Sequence, residues 1–443
     1  MNLKSTRAGL CAKTLAALGA LGLAPLAFAQ DAMAPVTTAT APAINSGDTA
    51  WMIMATALVM LMTPGLAFFY AGMVRSKNAV ATMMQSFIAL GVVSLLWWAV
   101  GYSMAFATGG AFLGGFDWMF FQGVAGTPNA DYAGTIPHLL FAVYQMMFAI
   151  ITPALIAGAF AERMKFGTYV VFIALWSLCI YAPVAHWVWG TGGFLRTMGL
   201  LDFAGGTVVH QTAGFSALAA AFVFGKRTDY GRANYAAHSV PLIAIGTALL
   251  WFGWFGFNAG SALASGELST FAFASTHFGA LAGGLVWGML DMFLKGKFNL
   301  VGFCIGLVVG LVSVTPAAGF VTVSSAIIIG VCGGAAANLF AYWRGKSQID
   351  DSLDVFACHG VGGMVGTLLT GVFASKLVNP AGADGGFAQF FIQLKGSLMV
   401  AVFAFIGSFV LLKVLNMVMG LRPTTEQETR GLDPVEHGES AYT

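Results

Sequence analysis

The chain has 443 residues, of which 58% are hydrophobic and 9% charged, against roughly 45–50% and 25% in an ordinary soluble domain. A mean hydropathy of +0.81 excludes a soluble enzyme. The formal net charge is only +2 and no Lys/Arg run exceeds a pair, which gives nucleic acid no electrostatic footing.

Residues 1–29 carry Lys4, Arg7 and Lys13, then an apolar run closing on Ala27-Phe28-Ala29. That is the layout of a cleavable secretory signal. An uncleaved first span is the weaker reading, because the run is short and contains Pro25. The Ala/Thr/Pro-rich stretch of residues 30–47 then reads as a flexible extracytoplasmic start. Beyond it, apolar blocks of about 20 residues recur, each long enough to span a ~30 Å hydrocarbon core as a helix. Eleven helices follow, at roughly 50–74, 79–107, 137–161, 167–187, 203–225, 240–263, 270–294, 298–317, 320–343, 355–375 and 387–419. The expected transport domain is residues 48–421, followed by a polar tail, residues 422–443.

Basic residues concentrate on the cytoplasmic side of membrane proteins. Of the 20 Lys and Arg, three lie in the signal; of the rest, only Arg196, Lys376 and Lys395 fall at predicted outer positions. This predicts an external amino end and a cytoplasmic carboxyl end, in the cytoplasmic (inner) membrane. The five cysteines (Cys11, Cys179, Cys304, Cys332 and Cys358) include no CxxC pair and read as small packing residues.

A weak internal repeat is legible. Phe69-Tyr70-Ala71-Gly72 in the first span matches Phe257-Asn258-Ala259-Gly260 in the sixth, and Thr152-Pro153-Ala154 in the third matches Thr315-Pro316-Ala317 in the eighth. Asp202 precedes His210 by eight residues, as Asp351 precedes His359, and glycine follows each histidine four residues on (Gly214, Gly363). Equivalent spans five apart run in opposite directions, so helices 1–5 and 6–10 form an inverted repeat, an arrangement associated with transport sites between the halves. Gly302, Gly306 and Gly310 make GxxxG steps suited to close helix packing. No P-loop or strand-borne GxGxxG is present, which argues against nucleotide-driven transport.

Ionisable groups inside a membrane are costly and mark candidate sites. Glu162 and Asp291 stand beside Arg163 and Lys295 and read as local ion pairs. Asp202 opens the fifth helix, where an N-cap is the plain reading and a negative charge near a cation entrance the sharper one. His210 lies about 12 Å along the helix from Asp202, and His359 about 8 Å from Asp354. Opposed helices bring both imidazoles toward the bilayer interior. Alone, each reads as an ordinary core histidine; at equivalent places in a repeat they read as a pore-lining pair. His138, His186, His238, His277 and His437 are given no role. In an apolar lumen, imidazoles exchange hydrogen bonds, whereas desolvation drives an ammonium ion toward the neutral amine. A cation held against Trp or Phe faces with Ser261 as acceptor makes a plausible cage, with Phe148, Phe257 and Trp189 equally readable as core.

Three stretches resemble the ammonium transporter family (Amt/Mep, distantly Rh): Asp202-Phe203-Ala204-Gly205-Gly206-Thr207-Val208-Val209-His210, Gly253-Trp254-Phe255-Gly256-Phe257-Asn258-Ala259-Gly260-Ser261 and Asp354-Val355-Phe356-Ala357-Cys358-His359-Gly360-Val361-Gly362-Gly363. Pro64-Gly65-Leu66 with Arg75-Ser76-Lys77-Asn78, Ala161-Glu162-Arg163, and the tail around Gly431-Leu432-Asp433 and Gly438-Glu439-Ser440-Ala441-Tyr442 look like that family too. The resemblance runs from about Asp48 to the end. It implies an all-α integral membrane protein, a homotrimer of eleven-helix protomers, each with its own narrow hydrophobic pore, and no cofactor. By the same likeness Trp189, Ser261 and Phe148 form an ammonium-recruitment site, Phe148 and Phe257 a stacked phenyl gate, and His210 and His359 a twin-histidine pair, while Asp202 supports recruitment and helix structure. Cys358 departs from the usual aliphatic residue. By counting, Phe257 lies nearer the outer surface than Phe148. Taken alone the tail is a solvated terminus; the likeness makes it a docking element for a PII-type regulator.

Two other functions compete: a cation-coupled transporter of another small solute, disfavoured by the lack of mid-membrane acids, and an ammonium sensor signalling through its tail, disfavoured because no recognisable output domain follows Arg422. An intramembrane hydrolase lacks a nucleophile–base constellation.

Overall fold

The computed structural model describes residues 43–442 apart from residue 234; the expected signal and most of the stretch after it lie outside the described residues. Among the described residues ten helices are long and apolar enough to cross a membrane: α1 (Ser46–Met73), α2 (Ser76–Phe106), α3 (His138–Phe160), α4 (Phe166–Met198, turning at Gly190), α5 (Gly206–Phe224), α6 (Val240–Ala262), α7 (Glu267–Lys295), α9 (Val323–Arg344), α10 (Phe356–Phe373) and α11 (Phe387–Val418). Between α7 and α9 the shorter α8 (Leu300–Val314) rises about 22 Å before turning through Thr315–Pro316. These eleven coincide with the expected spans, and among the described residues no strand is formed.

Helix starts follow local chemistry. Asn45, Asn299 and Thr322 each accept from a free N–H of the first turn of α1, α8 and α9, and Pro241 sits at the first turn of α6, where a missing N–H costs nothing. Glycine sets how closely helices approach. A Cβ on Gly256 would lie 2.6 Å from Ala55 O, one on Gly253 2.5 Å from Leu58 O, and one on Gly72 2.7 Å from Ser239 O. As residue numbers rise along α1 they fall along α6, so the first helices of the two halves run antiparallel, in van der Waals contact along their length.

The halves repeat their packing. α1 lies on α3, and α6 on α8; α2 packs on α3 and α4, and α7 on α8 and α9; α3 meets α5, and α8 meets α10. α11 lies outside this scheme, against α5 and α10. The inverted repeat of helices 1–5 and 6–10 is therefore present in the packing as well as in the short sequence matches.

Candidate functional site

The geometry begins with two aspartates. Asp202 Oδ1 accepts from the N–H groups of Gly205 and Gly206 at 2.8 and 2.7 Å, and Oδ2 from those of Thr207 and Val208 at 2.9 and 3.0 Å. One carboxylate thus satisfies the free donors at the start of α5. At the start of α10, Asp351 accepts from Val355 N at 3.1 Å and Phe356 N at 2.8 Å. Three residues after each acid the backbone is left-handed, at Gly205 (φ 109°) and at Asp354 (φ 56°). π-helical turns follow, Gly206–Gln211 and Phe356–Val361, and each carries its histidine.

Small residues press these helices together. A Cβ on Gly214 would lie 2.1 Å from Gly360 N, and one on Gly363 2.9 Å from Gly206 O; Thr207 and Thr367 hydroxyls meet at 3.2 Å. The rungs pair 207 with 367 and 214 with 360, so α5 and α10 run antiparallel. His210 Nδ1 and His359 Nδ1 face each other at 3.2 Å, with ring centroids 5.2 Å apart and planes at 24°. A contact of that length is a hydrogen bond when one nitrogen carries the proton and the other does not.

Both rings are buried and line a narrow cavity with Met62, Leu66, Phe69, Ile151, Leu155, Leu250, Trp254, Phe257 and Val308. Its wall is otherwise apolar: the Trp254 indole N–H is taken by Thr315 Oγ1 at 2.8 Å. His210 Nε2 has no protein partner. A guest with a hydrogen-bonding nitrogen finds imidazole here and little else.

Phe257 closes one end of this lumen. Its ring stands 5.9 Å from His210 and 4.2 Å from Phe148, at an interplanar angle of 31°. The two rings pack against each other, and it is Phe257 that lines the cavity with the histidines while Phe148 lies against Trp189. Trp189 meets Phe148 edge-on at 6.0 Å. Beyond the phenyls a wider vestibule is lined by Trp189, Ser261, Asp202, Gln145, Tyr132, Arg196 and others.

The polar hydrogens of Trp189, Ser261 and Tyr144 are committed to the protein. The Trp189 indole N–H donates to Asp202 O at 2.9 Å. Ser261 Oγ–H donates to Phe257 O at 2.8 Å, and Tyr144 O–H has Gly256 O and Phe257 O within 3.0 Å and Ser261 Oγ at 3.2 Å. Ser261 oxygen is left with lone pairs, and Trp189 with its ring face. Asp202 borders the vestibule, yet its carboxylate is consumed by the four amides.

On the other side of the molecule two local ion pairs had been expected. Asp291 does pair with Lys295, at 2.8 Å, and also accepts from Asn299 and Asn338. Glu162 does not pair with Arg163. It accepts from Arg75, Nε at 2.8 Å and Nη2 at 2.5 Å, and Arg163 turns to Ser352 Oγ and Asp350 O, both at 2.5 Å. Neighbouring residues at a helix end point to opposite sides, and Glu162 adopts φ 73°. Arg227 holds Asp350 through Nε at 3.0 Å and Nη2 at 2.8 Å. Burial works to raise the Asp350 carboxyl, but the guanidiniums of Arg163 and Arg227 hold it below the ordinary carboxylate range. Asp351 next to it is pushed up to about 6, by burial and by the nearby Asp354 carboxylate.

The tail is not a free solvated terminus. Asp433 carboxylate accepts from Val80 and Ala81 N at 3.0 and 2.8 Å, Leu432 N donates to Asn78 Oδ1 at 2.8 Å, and Glu428, only 3% exposed, takes Thr228 N and Arg422. Asp433 caps the start of α2, and Glu428 is an ion-pair partner of Arg422.

The arrangement is a narrow apolar cavity holding two imidazoles, with Phe257 in its wall against Phe148, in a multi-helix membrane protein of two inverted halves. A profile described as Ammonium Transporter Family matches residues 50–442. An ammonium transporter of Bacillus subtilis (strain 168) is 46% identical over 408 residues, covering 90% of this chain and 99% of that one. The crystal structure of Saccharomyces cerevisiae Mep2 superposes with a TM-score of 0.82 at 38% identity, over 86% of this chain and 88% of that chain. A solved structure titled Sensor Amt Protein gives 0.82 at 32% identity, over 88% and 98%. The chain belongs to the ammonium transporter family.

Proposed function

We propose that this protein carries ammonium nitrogen across the cytoplasmic membrane: NH₄⁺ is recruited in the vestibule, releases a proton on that side, and crosses the lumen as NH₃. The observation that carries this reading is the pair of imidazole nitrogens 3.2 Å apart in an otherwise apolar passage. In the vestibule, the Trp189 face attracts a cation and Ser261 oxygen accepts one of its N–H groups. Potassium, similar in size, has no hydrogen to donate. Past Phe148 and Phe257 a charge loses its hydration without a carboxylate to replace it, a loss far larger than that of a neutral amine. Ammonia passes as donor and acceptor to His210 and His359. The released proton follows separately by a relay through the two histidines, making net transport electrogenic; absence of ammonium-evoked current at every concentration overturns that part.

The same reading places the vestibule outside and the tail in the cytoplasm, with residues 1–29 a cleaved signal and residues 422–443 a regulatory element. It groups the protomers as homotrimers and gives the tail a PII-type partner, whose association a tail truncation abolishes. A sensor role is the second reading; the likeness to the structure titled Sensor Amt Protein favours it, while the higher identity to a transporter favours transport.

The test is uptake and current in proteoliposomes for the parent and a His210→Ala/His359→Ala double variant. The expected outcome is a folded variant that has lost selectivity for ammonium over potassium. Retained selectivity with unchanged rate overturns the histidine role.

A further inference from the structure

We propose that a basic pocket at the tail-side ends of α7, α8 and α9 binds the phosphodiester head of an anionic phospholipid. The pocket has a volume of about 440 Å³ and is bordered by Asp291, Lys295, Asn299, Asn338, Arg344, Lys346 and others; small-molecule sites span roughly 300–1,000 Å³. It lies where α7 ends at Lys295, α8 begins at Leu300 and α9 ends at Arg344, the level at which spanning helices leave the hydrocarbon for water. The loop after α9 continues to Asp350, which Arg227 holds, on the side of the molecule that carries the tail.

Charge selects the guest. Both acids on the wall are already neutralised: Asp291 accepts from Lys295 Nζ at 2.8 Å and from the amides of Asn299 and Asn338, each at 3.1 Å, and Asp354 holds Arg344. Lys346 has no carboxylate partner among the described residues; its ammonium lies 4.0 Å over the Tyr342 ring. Lys297, in the loop between α7 and α8, is exposed and likewise without one. Pocket and rim thus carry four bases against two acids, an excess that favours an anion.

The surroundings bring that anion in on a lipid. Adjacent in the chain to the pocket residues stand Phe293, Phe298, Leu300 and Trp343, 47–78% exposed, and α7 and α9 are long and apolar enough to span a bilayer. Acyl chains cover such an apolar rim while the head reaches the lysines, whereas a soluble anion leaves it bare. Basic pockets between spanning helices are suited to anionic headgroups, and aromatic residues gather at the same interface. The site does not depend on the transport reading.

The experiment melts the detergent-solubilised parent, a Lys297→Gln/Lys346→Gln variant, a charge-keeping Lys297→Arg/Lys346→Arg variant and a Lys413→Gln control against dilution series of phosphatidylglycerol, phosphatidylcholine and inorganic phosphate. Phosphatidylglycerol stabilises the parent more than phosphatidylcholine does. Its half-saturation rises about fivefold for each charge removed in the glutamine variant and stays at the parent's value in the arginine variant and the control. Equal stabilisation by the two lipids overturns the proposal, as does an unmoved half-saturation in the glutamine variant. Loss of the lipid response in the arginine variant as well assigns the lysines a structural role and also overturns it. Stabilisation by inorganic phosphate matching that by phosphatidylglycerol makes this a soluble-anion site and overturns the lipid.

Discussion

The start of α5 and the start of α10 are two versions of one device, and their differences separate what the pore needs from what each side of the membrane needs. Both have an aspartate cap, a left-handed residue three positions on, a π-helical turn and a histidine eight residues from the acid. Asp202 gathers four amides and Asp351 two. The left-handed residue is glycine in one half and Asp354 in the other, and Asp354 holds Arg344 through Nε at 2.5 Å and Nη2 at 3.2 Å. The shared parts aim the imidazoles. The unshared ones differ in chemistry: an uncharged backbone turn beside Asp202 in one half, an ion pair of Asp354 with Arg344 in the other.

The largest effect should come from removing the caps. Asp202→Ala orphans four amides where Asp351→Ala orphans two, and caps are worth about 0.5–2 kcal/mol. The vestibule-side variant should therefore lose ~2 kcal/mol or more and most ammonium uptake, and Asp351→Ala about half the stability loss, in thermal unfolding of the detergent-solubilised protein. Equal losses would break the comparison.

Exchanging the left-handed residues gives a smaller, asymmetric effect. A Cβ on Gly205 would meet Val209 Cγ2 at 2.7 Å in a strained conformation, so Gly205→Asp should destabilise by about 1–3 kcal/mol. Asp354→Gly trades the Arg344 pair for relief of left-handed strain of about 1 kcal/mol and should leave stability within ~1 kcal/mol of the parent, whereas Asp354→Ala keeps the strain, loses the pair and should fall below both. Denaturation midpoints of the three rank them; Asp354→Ala matching Asp354→Gly would show that backbone strain at this position is immaterial.

The last effect is a pH slope. The Asp351 carboxyl titrates near 6 in the folded protein against an ordinary 3.8, so the folded state holds the extra proton between those values and this group's contribution to stability falls as pH rises from about 4 to 6. Asp350, held low by Arg163 and Arg227, slopes the opposite way: its contribution is present above about 4 and lost as pH falls below that. Asp351→Asn keeps a neutral cap at all pH values, so its stability relative to the parent should improve from pH 4 to 6 and level off above 7. A difference that worsens across that window would contradict the assigned direction.

Much of this was readable beforehand because it depends on local patterns. The eleven spans, the repeat and the acid-to-histidine spacing are properties of neighbouring residues. Ser261, Trp189, Phe148 and Phe257 were named through resemblance, and their stacking needed the fold. Glu162 and Arg163 misled because adjacency in the chain is no guide to pairing at a helix end. The tail misled because nothing in its sequence marks Asp433 and Glu428 as partners of the amides of α2 and Thr228.

Hydropathy and glycine spacing suffice to say which stretches cross the bilayer and that two antiparallel sets of five pack closely, since burying an apolar helix is a property of that stretch and its solvent. Which nitrogen faces which and how closely two phenyls pack are settled by contacts between residues 149 and 109 positions apart. Their energies depend on distances of a few tenths of an ångström, and only the assembled helices set those.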